Sequence, residues 1–396
     1  MRPFKLLSIV LGTCILATSA LAANRHITDP ASKAPFSLAT ASGDFIYVTG
    51  NGGEGNDMGA QTNSALDRIA ATLKKAGADL NDVVQTTVYI TVPDGAAEME
   101  KAYATHFTRN PPARILVVSP ALVGGRGLVE INAIAVRHGL KHTAVMPKGW
   151  KDPSGAFSYA QKVGNTLYIS GLTASNSGPA GSPPNNIGAQ TRTIMSNMGE
   201  LLKAAGMDYG DVASGRVWIS DIKTNYAGMN AVYRVYFVRD FPARATLQFG
   251  MPDKADMVAI SAVAVKGGNR HAVLGAIDAD GKPGKPNPNY SAAVSAGNRA
   301  WVTGMTGQTA ENKDDVGAQA EETLKRMLRT LKAAGFTQDQ IVEVNCYLRD
   351  AKDVKTFQAM NEGYRRVFTK ELPARTTLEA ANAGGSWIEI TIVASR

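Results

Sequence analysis

Three arginines in this chain follow a Pro-Ala pair and have apolar, strand-like surroundings: Arg114 in "PPARILVVS", Arg244 in "FPARATLQF" and Arg375 in "LPARTTLEA". A glutamate follows two of them, Glu130 after Arg114 and Glu389 after Arg375. A guanidinium keeps its charge inside a protein, and its planar fork fits both oxygens of a carboxylate. The combination therefore predicts either a structural ion pair or a site for a carboxylate ligand.

The second copy of the pattern helps to distinguish these interpretations. Ala259 stands where the other copies have Glu130 and Glu389, although Arg244 is retained. An arginine and a glutamate that only paired with each other would be expected to disappear together. The retained Arg244 favours a ligand carboxylate, and the structural ion pair remains the alternative.

These arginines belong to a unit of sequence that occurs three times. The tripeptide Gly-Ala-Gln begins at Gly59, Gly188 and Gly317, at intervals of 129 residues (188 − 59 and 317 − 188). The Ala-Gly pair after the following helix and the Pro-Ala-Arg tripeptide keep this interval to within two residues. Repetition at a fixed period indicates a tandem-repeat architecture.

Each unit shows the pattern of two strands, a helix, a strand, a second helix and two further strands. Alternating apolar residues around Gly-Asp or Gly-Asn indicate the first hairpin, and apolar residues at helical spacing indicate the helices. The strand with the Pro-Ala-Arg arginine is expected to form a second hairpin with the final strand. The predicted fold class is α+β, with three tandem β-β-α-β-α-β-β units.

The same patterns predict the domain organisation. Unit 1 is expected at residues 34–138, unit 2 at 156–267 and unit 3 at 288–396, with Gly/Pro/Lys-rich linkers at 139–155 and 268–287. Two helices can cover only one face of a sheet, so the other apolar face must be buried elsewhere. We expect the three sheets to bury these faces together, as an intramolecular pseudo-trimer with a central barrel and the helices outside.

Residues 1–23 have the pattern of a secretory signal peptide. Arg2 and Lys5 form a basic start, an apolar run follows, and Ala20-Leu21-Ala22 is a small-residue cleavage site. A membrane anchor is the alternative, but the apolar run is short for a span. We expect an exported, periplasmic protein with no stable membrane association after cleavage.

Charge gives little indication of a macromolecular partner. The formal net charge is +8, and it falls to +6 when Arg2 and Lys5 are removed with the signal segment. The charged residues are scattered singly, so we expect no nucleic-acid partner. Cys346 is in phase with apolar strand residues, which predicts a core position rather than a reactive thiol.

Two weaker motifs are not taken as sites. Residues 50–55 match G-x-G-x-x-G, but the corresponding stretches "GLTASN" and "GMTGQT" do not, and no ribose-binding acid follows at the required place. His138 and His142 lack a third ligand, so a zinc site is not predicted.

The units resemble the Rid (YjgF-like) reactive-intermediate deaminase family. The resemblance rests on the "VTG" or "ISG" strand end, the "AAG" helix end, "FPAR" and a final strand such as "EINAIAV", and it spans most of each unit. It implies a chorismate-mutase-like (YjgF-like) fold with ligand clefts between neighbouring units of a trimer. It also implies hydrolysis of 2-imino acids to 2-keto acids and ammonia, with no metal or organic cofactor.

Carried over by position, the resemblance implies catalytic roles for Glu389 and Glu130, which would position the attacking water. The substrate-binding residues that it implies are Arg375, Arg114, Arg244, Tyr290, Thr303, Asn361, Thr377, Asn230 and Ser170. Thr377 departs from the pattern, because deaminating members often have cysteine there. For Tyr290 and Asn361, a packing or capping role is the alternative.

Unit 3 matches the deaminating pattern best, although clefts between units combine residues of two copies, so the set of one unit does not correspond to one pocket. Unit 2 has Phe157 in place of the tyrosine and lacks the acid, while unit 1 has Phe36 for the tyrosine and Glu100 for the asparagine. The expected function is hydrolytic deamination of small 2-imino acids or enamines in one or two clefts of a monomeric pseudo-trimer. The alternatives are a non-catalytic binder of small carboxylates and, less favoured, an RNA-directed or regulatory protein.

Overall fold

The computed structural model describes residues 23–178, 184–238 and 240–396. The predicted signal peptide at residues 1–23 lies outside the described residues, except for its last residue. None of the helices in the described part of the chain combines the length and apolar character that crossing a bilayer requires.

Unit 1 contains six strands and two helices. They are β1 Arg25–Ile27, β2 Ala39–Ser42, β3 Phe45–Gly52, α1 Met58–Ala76, β4 Val83–Ile90, α2 Ala96–His106, β5 Ala113–Val118 and β6 Val129–Val136.

Units 2 and 3 repeat this order, and unit 3 has one additional strand of two residues. Unit 2 has β7 His142–Val145, β8 Ala160–Val163, β9 Thr166–Leu172, α3 Ile187–Ala204, β10 Val212–Ile219, α4 Ile222–Tyr233, β11 Ala243–Gln248 and β12 Val258–Val265. Unit 3 has β13 His271–Val273, β14 Ala293–Ala296, β15 Arg299–Met305, α5 Val316–Ala333, β16 Ile341–Leu348, α6 Val354–Val367, β17 Ala374–Glu379, β18 Ala381–Asn382 and β19 Ile388–Ser395.

The first helix of each unit begins after the same kind of cap. The side chains of Asp57, Asn186 and Asp315 accept hydrogen bonds from the backbone N–H three residues later, at 2.7, 2.9 and 2.8 Å. Such a cap satisfies an N–H group that has no partner within the helix and contributes about 1 kcal/mol. The cap therefore fixes where the helix starts after the loop that leaves the first hairpin.

The predicted three tandem α+β units are confirmed, but the prediction of a second hairpin in each unit is wrong. In unit 1 the strand order is β1-β2-β3-β6-β4-β5, so β4 lies between the strands that carry Arg114 and Glu130. β5 runs parallel to β4, and β6 runs antiparallel to it. The reason is the helix α2, because a helical crossover returns the chain parallel to the strand that it left.

Each unit also begins with a short edge strand that the sequence analysis missed. β7 and β13 lie within the stretches interpreted as linkers, and β1 precedes the predicted start of unit 1. These strands have only three or four residues, too few to show an alternating apolar pattern. The linkers are therefore partly built into the sheets that they connect.

The two helices of each unit cover one face of its sheet and form a separate core with it. Cys346 lies fully buried in the core of unit 3, as its position in the strand pattern predicts. Burial raises the pKa of its thiol to about 11, which makes the reactive thiolate scarce at neutral pH.

The opposite faces of the three sheets meet at a common centre. Tyr89, Trp218 and Tyr347, which occupy equivalent positions on β4, β10 and β16, belong to one buried cluster. Single β-bridges connect unit 1 to unit 2, unit 2 to unit 3 and unit 3 to unit 1, at Ala113–Ser158, Ala243–Ser291 and Ala374–Ser37. The three units therefore form a ring with the helices outside, and the Pro-Ala-Arg strand of each unit borders the next unit.

Candidate active site

The three arginines lie where neighbouring units meet. The backbone N–H of each one donates a hydrogen bond to a hydroxyl of the next unit: Arg114 to Ser170 at 2.8 Å, Arg244 to Thr303 at 3.2 Å and Arg375 to Thr49 at 2.9 Å. The hydroxyls of Thr303 and Thr49 donate in return to the carbonyl oxygen of the same arginine. These hydroxyl residues therefore join the units, in addition to any contact with a ligand.

The Arg244 cleft combines Arg244, Asn230 and Tyr233 of unit 2 with Tyr290, Thr303 and Glu389 of unit 3. The Arg244 Nη2 group donates to Asn230 Oδ1 at 2.7 Å, and the guanidinium lies over the rings of Tyr233 and Tyr290. Its Nε and Nη1 groups are buried without a hydrogen-bond partner in the described structure. Arg244, Tyr290, Thr303 and Glu389 line a cavity of about 370 Å³.

Glu389 enters this cleft from the neighbouring unit as a buried acid. Burial raises the pKa of its carboxyl group to about 8, although the positive charge of Arg244 opposes the shift. Glycine at position 304 leaves room for it, since a Cβ atom there would lie 2.0 Å from Glu389 Oε1. At neutral pH the cleft therefore contains a largely protonated carboxylic acid opposite a charged guanidinium.

The Arg375 cleft combines Arg375, Asn361 and Tyr364 of unit 3 with Phe36, Thr49 and Glu130 of unit 1. The guanidinium of Arg375 lies between the rings of Phe36 and Tyr364, 4.8 Å from each ring centre. Its Nε and Nη2 groups, and the Asn361 Oδ1 and Thr377 Oγ1 atoms, are buried without a partner in the described structure. Four polar atoms of this cleft are therefore available to a ligand.

Glu130 is the counterpart of Glu389 in the Arg375 cleft. Burial raises the pKa of its carboxyl group to about 8, and the charge of Arg375 opposes the shift. A Cβ atom on Gly50 would lie 2.1 Å from Glu130 Oε1, as at Gly304. This cleft differs from the Arg244 cleft in having Phe36 where the other has Tyr290, so it lacks one hydroxyl group.

The Arg114 cleft, between units 1 and 2, is closed by an internal ion pair. Arg114 Nη2 lies 2.6 Å from Glu100 Oε2, and the other carboxylate oxygen of Glu100 accepts a 2.6 Å hydrogen bond from the Ala156 N–H of unit 2. The guanidinium lies over the rings of Tyr103 and Phe157. The acid that unit 2 would contribute is absent, because Ala259 occupies its place.

The structure corrects the grouping of site residues by unit. Arg375 and Glu389 belong to different clefts, and so do Arg114 and Glu130, because each arginine faces the glutamate position of the next unit. Unit 3 is therefore not one complete pocket. Its acid completes the Arg244 cleft, and its arginine belongs with Glu130.

The acid missing from unit 2 is missing from the cleft of Arg114, not from that of Arg244. Arg244 does not lack an acid, because Glu389 supplies one. The arginine that lacks the facing acid is Arg114, and Glu100 is its anionic partner. Within the described residues, no ion pair joins Arg114 to Glu130 or Arg375 to Glu389, so the ion pair expected between these residues is not formed.

Sequence reasoning missed three kinds of cleft residue. Tyr103, Tyr233 and Tyr364 stack on the guanidinium groups, although the sequence showed them only as helix residues at i,i+4 from a phenylalanine. Thr246, two residues after Arg244, lines the open cavity in the place of Thr377. Glu100 was noted as a departure from asparagine, but its position three residues before Tyr103 could have indicated that it reaches Arg114.

The described residues contain one group of side chains with the spacing of metal ligands, Asp79, Asp82 and His138. Its oxygen atoms already have partners: Asp79 Oδ1 accepts from the Asn81 N–H, and Asp82 Oδ2 accepts from the Asp79 N–H and lies 2.9 Å from His138 Nδ1. His142 lies elsewhere, against Asn81 and Gln161. The group is accounted for by capping of the turn before β4.

Comparison with known proteins identifies the repeated unit. The Endoribonuclease L-PSP family model matches residues 26–137, 150–266 and 282–396. A 2-iminobutanoate/2-iminopropanoate deaminase of Bos taurus is 36% identical over 113 residues, which cover 28% of this chain and 82% of the relative. A RutC family protein of Sulfurisphaera tokodaii is 36% identical over 115 residues, covering 29% of this chain and 91% of the relative.

One solved structure resembles most of the chain. The crystal structure of a chorismatase covers 79% of this chain and 93% of its own, with a TM-score of 0.50 and 15% sequence identity, a likeness that shows the fold alone. The family model, in contrast, matches three successive segments that together make up most of the sequence. The chain therefore belongs to the Rid (YjgF-like) family, described as Endoribonuclease L-PSP, and contains three tandem copies of the family unit.

Proposed function

We propose that the chain hydrolyses small 2-imino acids, and the enamines in equilibrium with them, to 2-keto acids and ammonia. One observation carries this proposal: in two clefts, a buried arginine with free N–H groups faces a buried glutamic acid of the next unit whose pKa is raised to about 8. The names of the deaminase relatives support the same reaction.

The arginine would hold the substrate. In the described structure, Arg375 has Nε and Nη2 without a partner, and these groups share one edge of the guanidinium that can bind both oxygens of a carboxylate. Arg244 has Nε and Nη1 without a partner, which lie on different edges, so each can donate separately to a carboxylate oxygen. The aromatic rings on the guanidinium fix its plane and exclude water from around it. A bound 2-imino acid would then have its C=N carbon at a defined place beside the facing glutamate.

The glutamate would move the protons. In its neutral form, Glu389 or Glu130 can give a proton to the imine nitrogen, which makes the carbon more electrophilic, and the resulting carboxylate can take a proton from water as the water adds. The same carboxyl group then gives its proton to the carbinolamine nitrogen and takes the hydroxyl proton, so that the C–N bond breaks, ammonia leaves and a C=O group remains. The protons balance, and every transfer uses one carboxyl group and one water.

The Arg114 cleft would not take part. The Glu100 carboxylate already forms an ion pair with the Arg114 guanidinium, and the residue at the facing position is Ala259. We therefore propose two competent clefts, of which the Arg244 cleft has the additional Tyr290 hydroxyl.

Activity can be tested with imines generated in situ by an amino-acid oxidase in the presence of catalase. The protein should accelerate keto-acid release over the rate in buffer. This acceleration should fall in Arg244→Ala and in Arg375→Ala, and it should disappear in the double variant. No acceleration, with pyruvate binding retained and dependent on the same arginines, would instead identify a non-catalytic carboxylate binder. A loss of folding stability that parallels the loss of activity would indicate a structural role for these arginines.

We also propose that residues 1–23 direct export to the periplasm and are then removed. The basic start, apolar run and Ala-Leu-Ala site support this proposal. Fractionation of cells that express the full chain, with mass spectrometry of the product, should find a periplasmic protein beginning at Asn24. A full-length cytoplasmic product would contradict it.

A further inference from the structure

The Arg244 cleft extends beyond the groups that the proposed reaction uses. Its cavity of about 370 Å³ falls in the range of ~300–1,000 Å³ found for pockets that hold drug-sized ligands, whereas 2-iminopropanoate is a three-carbon acid. Arg244 and Glu389 account for one part of the lining. The rest includes Tyr226 of α4, Arg326 of α5 and the stretch that connects units 2 and 3.

Arg326 brings a second guanidinium to this cavity. Its Nη1 group donates to the Thr306 carbonyl oxygen at 3.4 Å. Burial raises the pKa of the nearby Tyr290, and the positive charges of Arg244 and Arg326 oppose the shift. No carboxylate of the described residues forms an ion pair with Arg326. Glu389 is the one acidic residue among the described residues that line the cavity, and its raised pKa leaves it largely neutral.

Units 1 and 2 differ from unit 3 at the position equivalent to Arg326. Arg68 is the equivalent residue of α1 and contacts the corresponding carbonyl, that of Gly52, at 3.0 Å. Arg68 is also ion-paired with Glu54, however, while the strand end of unit 3 continues with the uncharged Gln308 at the place of Glu54. Unit 2 has Asn197, which bonds to Ser177. Only the cleft with the cavity therefore keeps a positive charge here without an acid to neutralise it.

The connecting stretch adds a third positive charge, that of Lys285. It folds back on itself through hydrogen bonds from the Gly284 N–H to the Ala276 carbonyl and from the Asp278 N–H to the Lys282 carbonyl, both 2.8 Å. Thr330 and Arg329 of α5 bind the two backbone groups of Ile277. This anchored loop places the exposed Lys285 in the cavity wall.

We propose that the Arg244 cleft takes a dianionic substrate, a 2-imino dicarboxylic acid of four or five carbons. Arg244 binds the carboxylate next to the imine, and Arg326, assisted by Lys285, binds the second carboxylate. The physical reason is charge balance, because Arg244, Arg326 and Lys285 face a single, largely neutral acid, and a second carboxylate compensates charge that a monocarboxylate leaves exposed. This inference rests on the proposed imine hydrolysis in the same cleft.

The test compares a dicarboxylic with a monocarboxylic substrate in a protein with one working cleft. In an Arg375→Ala background, imines are generated in situ from glutamate and from alanine by amino-acid oxidases, and keto-acid release is followed. We expect a higher kcat/KM for the glutamate-derived imine. Arg326→Gln should lower that value about tenfold or more and change the value for the alanine-derived imine less than twofold.

Arg68→Gln is the control for losing an arginine at the same helix position, because Arg68 lies on the unit 1 side of the Arg375 cleft, which this background inactivates. It should change neither value, and thermal unfolding should show that all variants fold. Equal values for the two imines, or an equal loss for both in Arg326→Gln, would overturn the dicarboxylate inference while leaving imine hydrolysis intact.

Equilibrium binding separates failure of the two proposals. Titration calorimetry should show that 2-oxoglutarate binds more tightly than pyruvate, and that Arg326→Gln removes the difference. This result without any imine hydrolysis would refute the proposed reaction and support the dicarboxylate site. Binding of pyruvate and 2-oxoglutarate with equal affinity would refute the site.

Discussion

Arg244 of unit 2 and Glu389 of unit 3 line one cavity from opposite sides of a unit boundary, and the described structure shows no ion pair between them. Each group keeps hydrogen-bonding capacity that a direct ion pair would use. Arg375 and Glu130 stand in the same relationship between units 3 and 1. In the Arg244 cleft, the cavity leaves space for a ligand that contacts both groups.

Replacing the acid of the open cleft should remove most of its activity. In an Arg375→Ala background, Glu389→Gln keeps the size of the side chain but can neither give a proton to the imine nitrogen nor accept one from water. We expect kcat to fall by about 100-fold or more, the usual contribution of general acid–base catalysis. Steady-state keto-acid release measures it. Glu379→Gln, a buried acid of β17 that bonds to the Ala351 N–H outside the clefts, is the control; a similar loss there would indicate a general effect of removing a buried acid.

Stability should fall as pH rises between about 4.5 and 8. Burial raises the pKa of Glu130 and Glu389 from 4.5 to about 8, so in this range the folded protein binds more protons than the unfolded chain. The resulting contribution to the free energy of unfolding is complete below pH 4.5 and is lost as pH rises to 8. Urea unfolding at pH 5 and 8 should show a smaller pH effect in Glu130→Gln/Glu389→Gln than in the unmodified chain. The same slope in both proteins would contradict the pKa assignments.

Activity, like stability, should decrease as pH rises. If the neutral acid protonates the imine nitrogen, kcat/KM should decrease above about pH 8 as Glu389 and Glu130 ionise. The pH profile must be measured with the spontaneous hydrolysis of the imine subtracted at each pH. A rate that increases through pH 8 would mean that the carboxylate, rather than the acid, is the active form.

A methyl group at Gly304 should displace the acid with little change in the rest of the fold. The added Cβ would lie 2.0 Å from Glu389 Oε1, too close for the carboxyl group to stay in place. In the Arg375→Ala background, we expect Gly304→Ala to reduce kcat about as much as Glu389→Gln. Gly171→Ala is the matched control in the cleft without an acid, where the Cβ would meet Ile115 at 3.2 Å. Unchanged activity in Gly304→Ala would show that the carboxyl position is not critical.

Removing Glu100 should open a third carboxylate site. Its ion pair with Arg114 is largely buried on the arginine side, so Glu100→Ala should lower the free energy of unfolding by about 1–3 kcal/mol. Pyruvate should then bind Arg114 and raise the binding stoichiometry from two to three per chain, measured by calorimetry. The double variant Glu100→Ala/Arg114→Ala should return it to two. A stoichiometry of two in the single variant would mean that the Arg114 cleft is closed by more than the Glu100 carboxylate.

The sequence was sufficient for the repeated unit and the types of residue at the site, and insufficient for their partners. Repeats at Gly59, Gly188 and Gly317 and the strand and helix patterns predict the units because these signals are local. The relation of Arg375 to Glu130 spans most of the chain and depends on the order in which three sheets meet, which no local pattern encodes. The parallel placement of β5 follows from α2, but alternating residues alone do not distinguish a parallel strand from one half of a hairpin.

The closed Arg114 cleft shows a second limit of prediction from the sequence. Glu100 and Ala259 each appear in the sequence as a departure from the family pattern, in two different units. The structure places both departures in the same cleft, where they are compatible: one supplies an anion to Arg114, and the other removes the facing acid. Their connection becomes visible only once the structure shows which units meet at each cleft.

The covalent order of the ring has an evolutionary consequence. In a ring of three identical chains, one codon specifies the same position in all three clefts, so exchanging the pocket asparagine for glutamate would close every site at once. In this chain the corresponding positions are Glu100, Asn230 and Asn361, and each can change alone. Fusion of the units thus allows one cleft to be closed by an internal ion pair and another to have a basic wall, while a third has neither feature. Three neighbouring pockets of a single polypeptide can in this way be selected for separate tasks.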